Sequence, residues 1–195
     1  MARPRSIPDE HILTCAKDAF FAEGLQVSTA DIAKRAGISE GTIFARFGTK
    51  EDLFFAAMGL TQPSFLIELH SRVGRRDIEE ELIELVHEML AFFEHAVPCI
   101  MLVVSSGARE KLVANPQAPP ARVIRELSNY FAKEAELGRL RPHDPEIISR
   151  LLVGTAWHYA FCEHVRINDI HPMPRQIYVR GVVDMILRGI RAEET

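Results

Sequence analysis

An all-α fold is predicted by three features of this 195-residue sequence. Apolar residues recur at three- and four-residue steps from end to end, no stretch alternates as a half-buried strand would, and the periodic segments are separated at Gly and Pro. With 47% hydrophobic residues the chain can fill a core. The 26% charged fraction is spread along it, with no unbroken apolar run near ~20 residues, which argues against a membrane span. About nine helices result, three in the first quarter and six beyond it.

The first helix is expected over Asp9 to Glu23, where Ile12, Cys15, Ala16, Ala19 and Phe20 share one face. Gly24 ends it. Ser28 or Thr29 can cap a second helix, Thr29 to Ala36, whose small apolar face is Ile32, Ala33 and Ala36. Gly37-Ile38-Ser39 makes a three-residue break, with Gly supplying the unusual backbone angle and Ile38 plugging the corner. A third helix, Glu40 to Phe47, starts at once with Ser39 as its N-cap and Ile43 and Phe47 turned inward. Gly48-Thr49 closes it before another helix opens near Lys50.

Two short helices joined by a tight Gly-containing turn, behind a longer first helix, match the helix-turn-helix, in which the second helix of the pair enters the major groove of DNA. Its outward positions suit that task. Ser39 and Glu40 stand at the helix start, where free amides face phosphate, and Gly41 would let the backbone approach closely. Thr42 offers a hydroxyl and a methyl, Phe44 a flat surface, and Arg46 a forked donor for phosphate or guanine. Thr29 and Lys50 would clamp backbone phosphates, while Arg3 and Arg5, in a Pro-containing arm, could reach a minor groove. On spacing alone Thr29, Thr42 and Lys50 serve equally well as caps and solvated surface.

Charge permits this reading without establishing it. The net charge is -4, but residues 1–50 hold seven Lys or Arg against six Asp or Glu, and residues 51–195 hold sixteen against twenty-one. Any DNA contact therefore belongs to the N-terminal quarter.

The run from Ser28 to Leu53, STADIAKRAGISEGTIFARFGTKEDL, with Ala19-Phe20 and Gly24 before it, resembles the DNA-binding domain of the TetR family of repressors. The resemblance covers about a quarter of the chain and implies a DNA-binding domain at 1–49 followed by a helical ligand-binding and dimerisation domain at 50–195. In the family the recognition helix commonly carries a Tyr whose hydroxyl meets a phosphate, followed two residues later by His or Tyr. Here those positions are Phe44 and Arg46. Phe44 cannot donate that bond, so it becomes a packing or sugar contact, and Arg46 is expected to bind phosphate or read a base.

Beyond Lys50 the helices are read at about Lys50 to Ser71, Asp77 to His95, Pro98 to Ala108, Pro120 to Leu137, Pro145 to Ile167 and Pro174 to Arg191. The last two are apolar on more than one face: Ile147, Ile148, Leu151, Leu152, Val153, Trp157 and Phe161 on one, Ile177, Tyr178, Val182, Val183, Ile186 and Leu187 on the other. Helices so broadly apolar need a second partner surface. The resemblance implies that they pair with their symmetry mates in a four-helix bundle, where Gly154, Gly181 and Gly189 would allow close approach; burial in a monomer's core is the alternative. A homodimer also suits the short recognition helix, because eight residues span roughly 12 Å and two copies on a palindromic operator are needed for useful specificity.

A small apolar or aromatic effector would suit a lining of Met89, Phe92, Phe93, Met101, Phe131, Trp157, Phe161 and Cys162, with His158 or His87 as the polar anchor. Each of these residues also reads as ordinary core. No enzyme constellation stands out: the run Glu79, Glu80, Glu81, Glu84, Glu88 near a helix start reads as a solvated face favoured by the dipole. His87, His95, His158 and His164 match no compact metal-ligand spacing, and no cofactor is expected. Cys15, Cys99 and Cys162 read as reduced, buried thiols, and the absence of an apolar segment behind Arg3 and Arg5 points to the cytoplasm. A DNA-binding regulator without an effector, and a helical enzyme or carrier, are the competing readings.

Overall fold

The computed structural model describes residues 7–106 and 119–190, and all of its regular structure among them is helical. Ten α-helices are present among the described residues: α1 Asp9–Glu23, α2 Thr29–Ala36, α3 Glu40–Phe47, α4 Lys50–Ala57, α5 Leu69–Arg72, α6 Ile78–Ser105, α7 Pro119–Glu136, α8 Pro145–His164, α9 Ile167–Ile170 and α10 Arg175–Ile190. Two single 3-10 turns, Gly24–Gln26 and Ser64–Leu66, join some of them. Backbone contacts divide the chain into two units, residues 1–61 with 101–115, and residues 62–100 with 116–195.

In the first unit α1 packs on α2 and α4, and α3 packs on α2 and α4. Its core is Ile12, Ala16, Ala19 and Phe20 from α1, Ile32, Ala33 and Ala36 from α2, Ile43 from α3, and Leu53 and Phe54 from α4. Phe20 and Phe54 meet edge to face at 5.1 Å. The expected inward set holds, except that Cys15 and Phe47 are only half-buried. All three cysteines are free thiols, with Cys99 and Cys162 buried.

Two helix boundaries differ from the sequence reading. The helix opening at Lys50 ends at Ala57, not near Ser71, because Gly59 adopts φ +70° and the Leu60 N–H donates to the Phe55 carbonyl at 2.8 Å, closing the last turn back on itself. Conversely, the helices expected over Asp77 to His95 and Pro98 to Ala108 form the single 28-residue α6, with Pro98 inside it. Proline removes one backbone bond at a cost of about 3 kcal/mol, and the side chains buried on either side of it, Phe93, Ala96 and Val97 before and Cys99 and Val103 after, offset that loss. Fusion makes α6 the one described helix long and apolar enough to cross a bilayer by length and composition, as a core helix of this length also can be.

In the second unit α7 packs along α8 and α5. Asp144 caps α8, accepting from the Glu146 N–H at 2.9 Å, and Pro145 occupies the first turn. Helix α8 stops at His164, short of Ile167, because Arg166 takes the left-handed conformation (φ 64°). Tyr159 and Tyr178 stack with centroids 4.7 Å apart, and the Tyr178 hydroxyl donates to the Thr155 carbonyl at 2.7 Å, tying α10 to α8. Arg175 binds α10 to α6 through Glu94 at 2.9 Å and the His87 carbonyl at 2.9 Å.

The acidic run at the start of α6 is not wholly solvated, as the sequence suggested. Glu81 is buried and, with Glu88, accepts from Arg72 at 3.3 and 2.7 Å. The Glu88 hydrogen bond raises the Arg72 pKa above its ordinary value. Nearby, fully buried Glu134 accepts from the Gly74 N–H at 3.0 Å and pairs with Arg139 at 3.2 Å. Burial, then the Glu134 and Glu81 carboxylates, push the Tyr130 phenol well above its usual range.

Candidate nucleic-acid interface

The presentation of α3 follows from the residues on either side of the turn. Ser28 caps α2 by accepting from the Asp31 N–H at 3.0 Å. Gly37, at φ +69°, ends α2, and the Ile38 N–H donates to the Ala33 carbonyl at 3.0 Å. That double-ended closure turns the chain within three residues. Ser39 then caps α3: its Oγ accepts from the Thr42 N–H at 3.2 Å and lies 2.8 Å from the Thr42 hydroxyl. Ile43 is fully buried against the rest of the unit, which fixes the rotation of α3 about its axis.

With Ile43 inward, Glu40, Gly41, Phe44 and Ala45 are exposed and Thr42 is half-buried. Gly41, Phe44 and Ala45 stand at positions i, i+3 and i+4, so they share a face. Small side chains there let the backbone approach a groove, and the exposed Phe44 ring offers an apolar surface for a sugar or a thymine methyl. Ala45 is an addition to the residues expected from sequence; its place four residues after Gly41 was the available signal.

The other expected contacts make hydrogen bonds within the protein, Arg46 while its residue remains exposed. Thr29 is buried and its hydroxyl donates to the Glu40 carboxylate, so it locks the starts of α2 and α3 together. Lys50 directs its Nζ to the Leu25 carbonyl at 2.6 Å. Arg46 donates from Nη1 to the Ile7 carbonyl and to Asp9 Oδ1, the latter at 3.0 Å. Thr49 and Asp52 form a reciprocal capping box at the start of α4. Arg3 and Arg5 lie outside the described residues.

The residues expected around an effector do not form one group. Phe65, Phe92, Phe93 and Trp157 make a continuous edge-to-face row with centroid separations of 5.6, 5.3 and 5.9 Å. His158 and Cys162, one turn apart on α8, approach to 3.5 Å, and Phe161 is half-buried beside them in sequence. Met89 is fully buried. Phe131 is equally buried but pairs with Tyr130 and His143 instead. Met101 is exposed and belongs to the other unit. His87 lines an open cleft of about 670 Å³ between the acidic start of α6 and Arg180 of α10. Among the described residues no three His, Cys, Asp or Glu side chains converge as metal ligands would.

Comparison with known proteins bears on both units. No curated protein matches the chain. Three solved structures share its fold over nearly their whole length. A TetR family transcriptional regulator from Pseudomonas syringae is 22% identical, with 97% of this chain and 100% of that one covered at a TM-score of 0.63. The fatty acid degradation regulator FadR from Bacillus halodurans is 19% identical, with 96% of each chain covered, also at 0.63. SmeT, the repressor of the Stenotrophomonas maltophilia multidrug efflux pump SmeDEF, is 20% identical, covering 96% of this chain and 92% of that one at 0.56. Residues 12–57 match the family described as bacterial regulatory proteins, tetR family, and this span runs from the first buried residue of α1 through the last of α4. The N-terminal domain of the chain is thus similar to that of the tetR family of bacterial regulatory proteins.

Proposed function

We propose that the protein is a homodimeric repressor that holds a palindromic operator through α3 and releases it when a small molecule binds the helical domain. The observation that carries the reading is α3 itself: capped by Ser39, fixed by buried Ile43, and open along Gly41, Thr42, Phe44 and Ala45. Residues 1–49 are assigned to gripping DNA and 50–195 to sensing and pairing. Dimerisation through α8 and α10 is supported by their exposed apolar residues: Ile147 is 56% exposed, Leu151 52%, Ile177 63% and Met185 76%. Apolar side chains left in water on two long helices favour a second copy.

An apolar or aromatic effector is supported by the Phe92–Phe93–Trp157 row, with His158 as the polar anchor. Two relatives of the same fold are described as a regulator of fatty acid degradation and as the repressor of a multidrug efflux pump, which suits such chemistry. Effector and operator must then weaken each other by the same factor, since coupling between two sites is reciprocal. The site of action is the cytoplasm, where operator DNA is found.

The test is selection of bound fragments from random double-stranded DNA, followed by titration of the enriched sequence at several salt concentrations. A palindrome bound by two chains, with affinity falling steeply as salt rises, is the expected result. Failure to enrich any sequence would overturn the DNA-binding reading.

A further inference from the structure

Ile43 is fully buried and fixes which side of α3 turns outward. At about 100° per residue, Gly41 and Ala45 project within about 20° of the direction opposite Ile43, with Phe44 about 80° to one side and Thr42 about 80° to the other. The centre of that face has no side-chain donor or acceptor. Gly41, Phe44 and Ala45 carry none, and the Thr42 hydroxyl lies 2.8 Å from Ser39 Oγ at the cap. Phe44 leaves 47% of its surface in water, so covering its ring is favourable. Gly41 adds an independent observation. It is helical and not among the glycines with positive φ, and a Cβ there would meet Ser39 Oγ at 3.8 Å, an ordinary contact. The fold would therefore accept a side chain, and glycine is less favourable in a helix than alanine. A bare position that the fold does not require suits a close approach from outside the protein, with the Phe44 ring standing beside it.

We propose that Phe44 is a specificity-determining residue that packs its ring on the C5 methyl of a thymine in the major groove, and that Gly41 admits the backbone close enough for it to do so. This rests on the DNA-binding reading above and deepens it, by naming the chemistry that α3 recognises. Thymine is the base that carries an apolar group on its major-groove edge. A cytosine in its place has hydrogen at C5 and turns its amino donor toward a ring with no oxygen or nitrogen to accept it. The wrong base thus loses a contact and leaves a donor stripped of water. Packing of the same ring on a deoxyribose would show no preference among bases, so the two kinds of contact are separable.

The experiment starts from the operator selected by this protein. Each thymine in turn is replaced by deoxyuridine, which removes the methyl and nothing else, and affinity is read by fluorescence anisotropy for the wild-type chain, Phe44→Ala and Gly41→Leu. For the wild type one thymine position stands out: loss of its methyl weakens binding about fourfold, and about fifteenfold where both halves of a palindrome are changed. Phe44→Ala binds the thymine operator more weakly and no longer distinguishes thymine from uracil at that position, because the partner of the methyl is gone. Gly41→Leu keeps the wild-type unfolding midpoint while its affinity falls by about tenfold or more. Uracil tolerated at every position by the wild type would make the ring a sugar contact and overturn the proposal. A methyl effect of unchanged size in Phe44→Ala would assign the contact to another residue and overturn it too, as would Gly41→Leu binding at wild-type strength. Should Phe44→Ala fail to fold, Phe44→Gln, a helix former without the ring, takes its place. A wild-type chain that enriches no operator fails at the underlying reading, before any base is changed.

Discussion

Two backbone angles carry much of the local design and can be tested singly. Gly37 holds φ +69° where α2 turns toward α3, a conformation that costs a side chain with a Cβ about 1–2 kcal/mol. Gly37→Ala should lower stability by about that amount, and because the closure aims α3, operator affinity should fall more than that of a destabilised core variant compared at equal folded fraction. Arg166 is the opposite case, the one described non-glycine residue with positive φ. Its exposed pair with Asp169, at 2.7 Å, returns little. Arg166→Gly should therefore leave stability unchanged or raise it by about 0.5–1 kcal/mol in denaturant titration, and a clear loss would show that the ion pair, not the backbone, sets the end of α8.

At the scale of elements, the joint between α5 and α7 contains a titratable pair. His70 Nε2 lies 2.8 Å from Glu126 Oε2, and this hydrogen bond, ahead of the opposing effect of burial, lowers the Glu126 pKa below its ordinary 4.5. A carboxyl with a depressed folded pKa adds stability that is complete above pH 4.5 and disappears as pH falls through the lowered value. Glu126→Gln should thus cost stability at pH 7 and lose that deficit toward pH 3, whereas a deficit that persists in acid would assign the loss to packing.

The same scale shows what the sequence could and could not reveal. Helices α1 to α3 were legible to the residue because each boundary carries its own chemistry: Gly24, Ser28, Gly37 and Ser39 cap or end a helix by bonds within a few positions. The signal for the end of α4, Gly59 before Leu60, was of the same kind but was outweighed by the helical spacing that continues past it. The fusion of α6 was not legible, since tolerance of Pro98 depends on burial supplied by the fold. In the interface, exposure on α3 followed from the inward Ile43. The engagement of Thr29 with Glu40, Lys50 with Leu25 and Arg46 with Ile7 did not, because those partners lie 11 to 39 positions apart.

For the molecule as a whole, the proposed recognition of a palindrome demands two α3 helices at a fixed spacing, and a rigid pairing of chains would supply it. In the proposed two-fold dimer an exposed apolar residue of α8 or α10 at the interface is presented by both copies, so a single substitution acts twice. Met185→Glu would place two carboxylates in an apolar contact, with nothing cationic gained to offset their desolvation. The wild-type chain should sediment as a dimer at micromolar concentration and its unfolding midpoint should rise with concentration, while Met185→Glu should sediment as a monomer with a midpoint independent of concentration. Operator affinity should fall steeply in that variant, yet the N-terminal unit should stay folded, since Phe20, Ile43 and Phe54 lie in its own core. A Met185→Glu protein that remains dimeric would move the interface away from α10. A dimer that is lost while operator binding survives at wild-type strength would mean that one α3 suffices, and the argument from palindromic recognition would have to be given up.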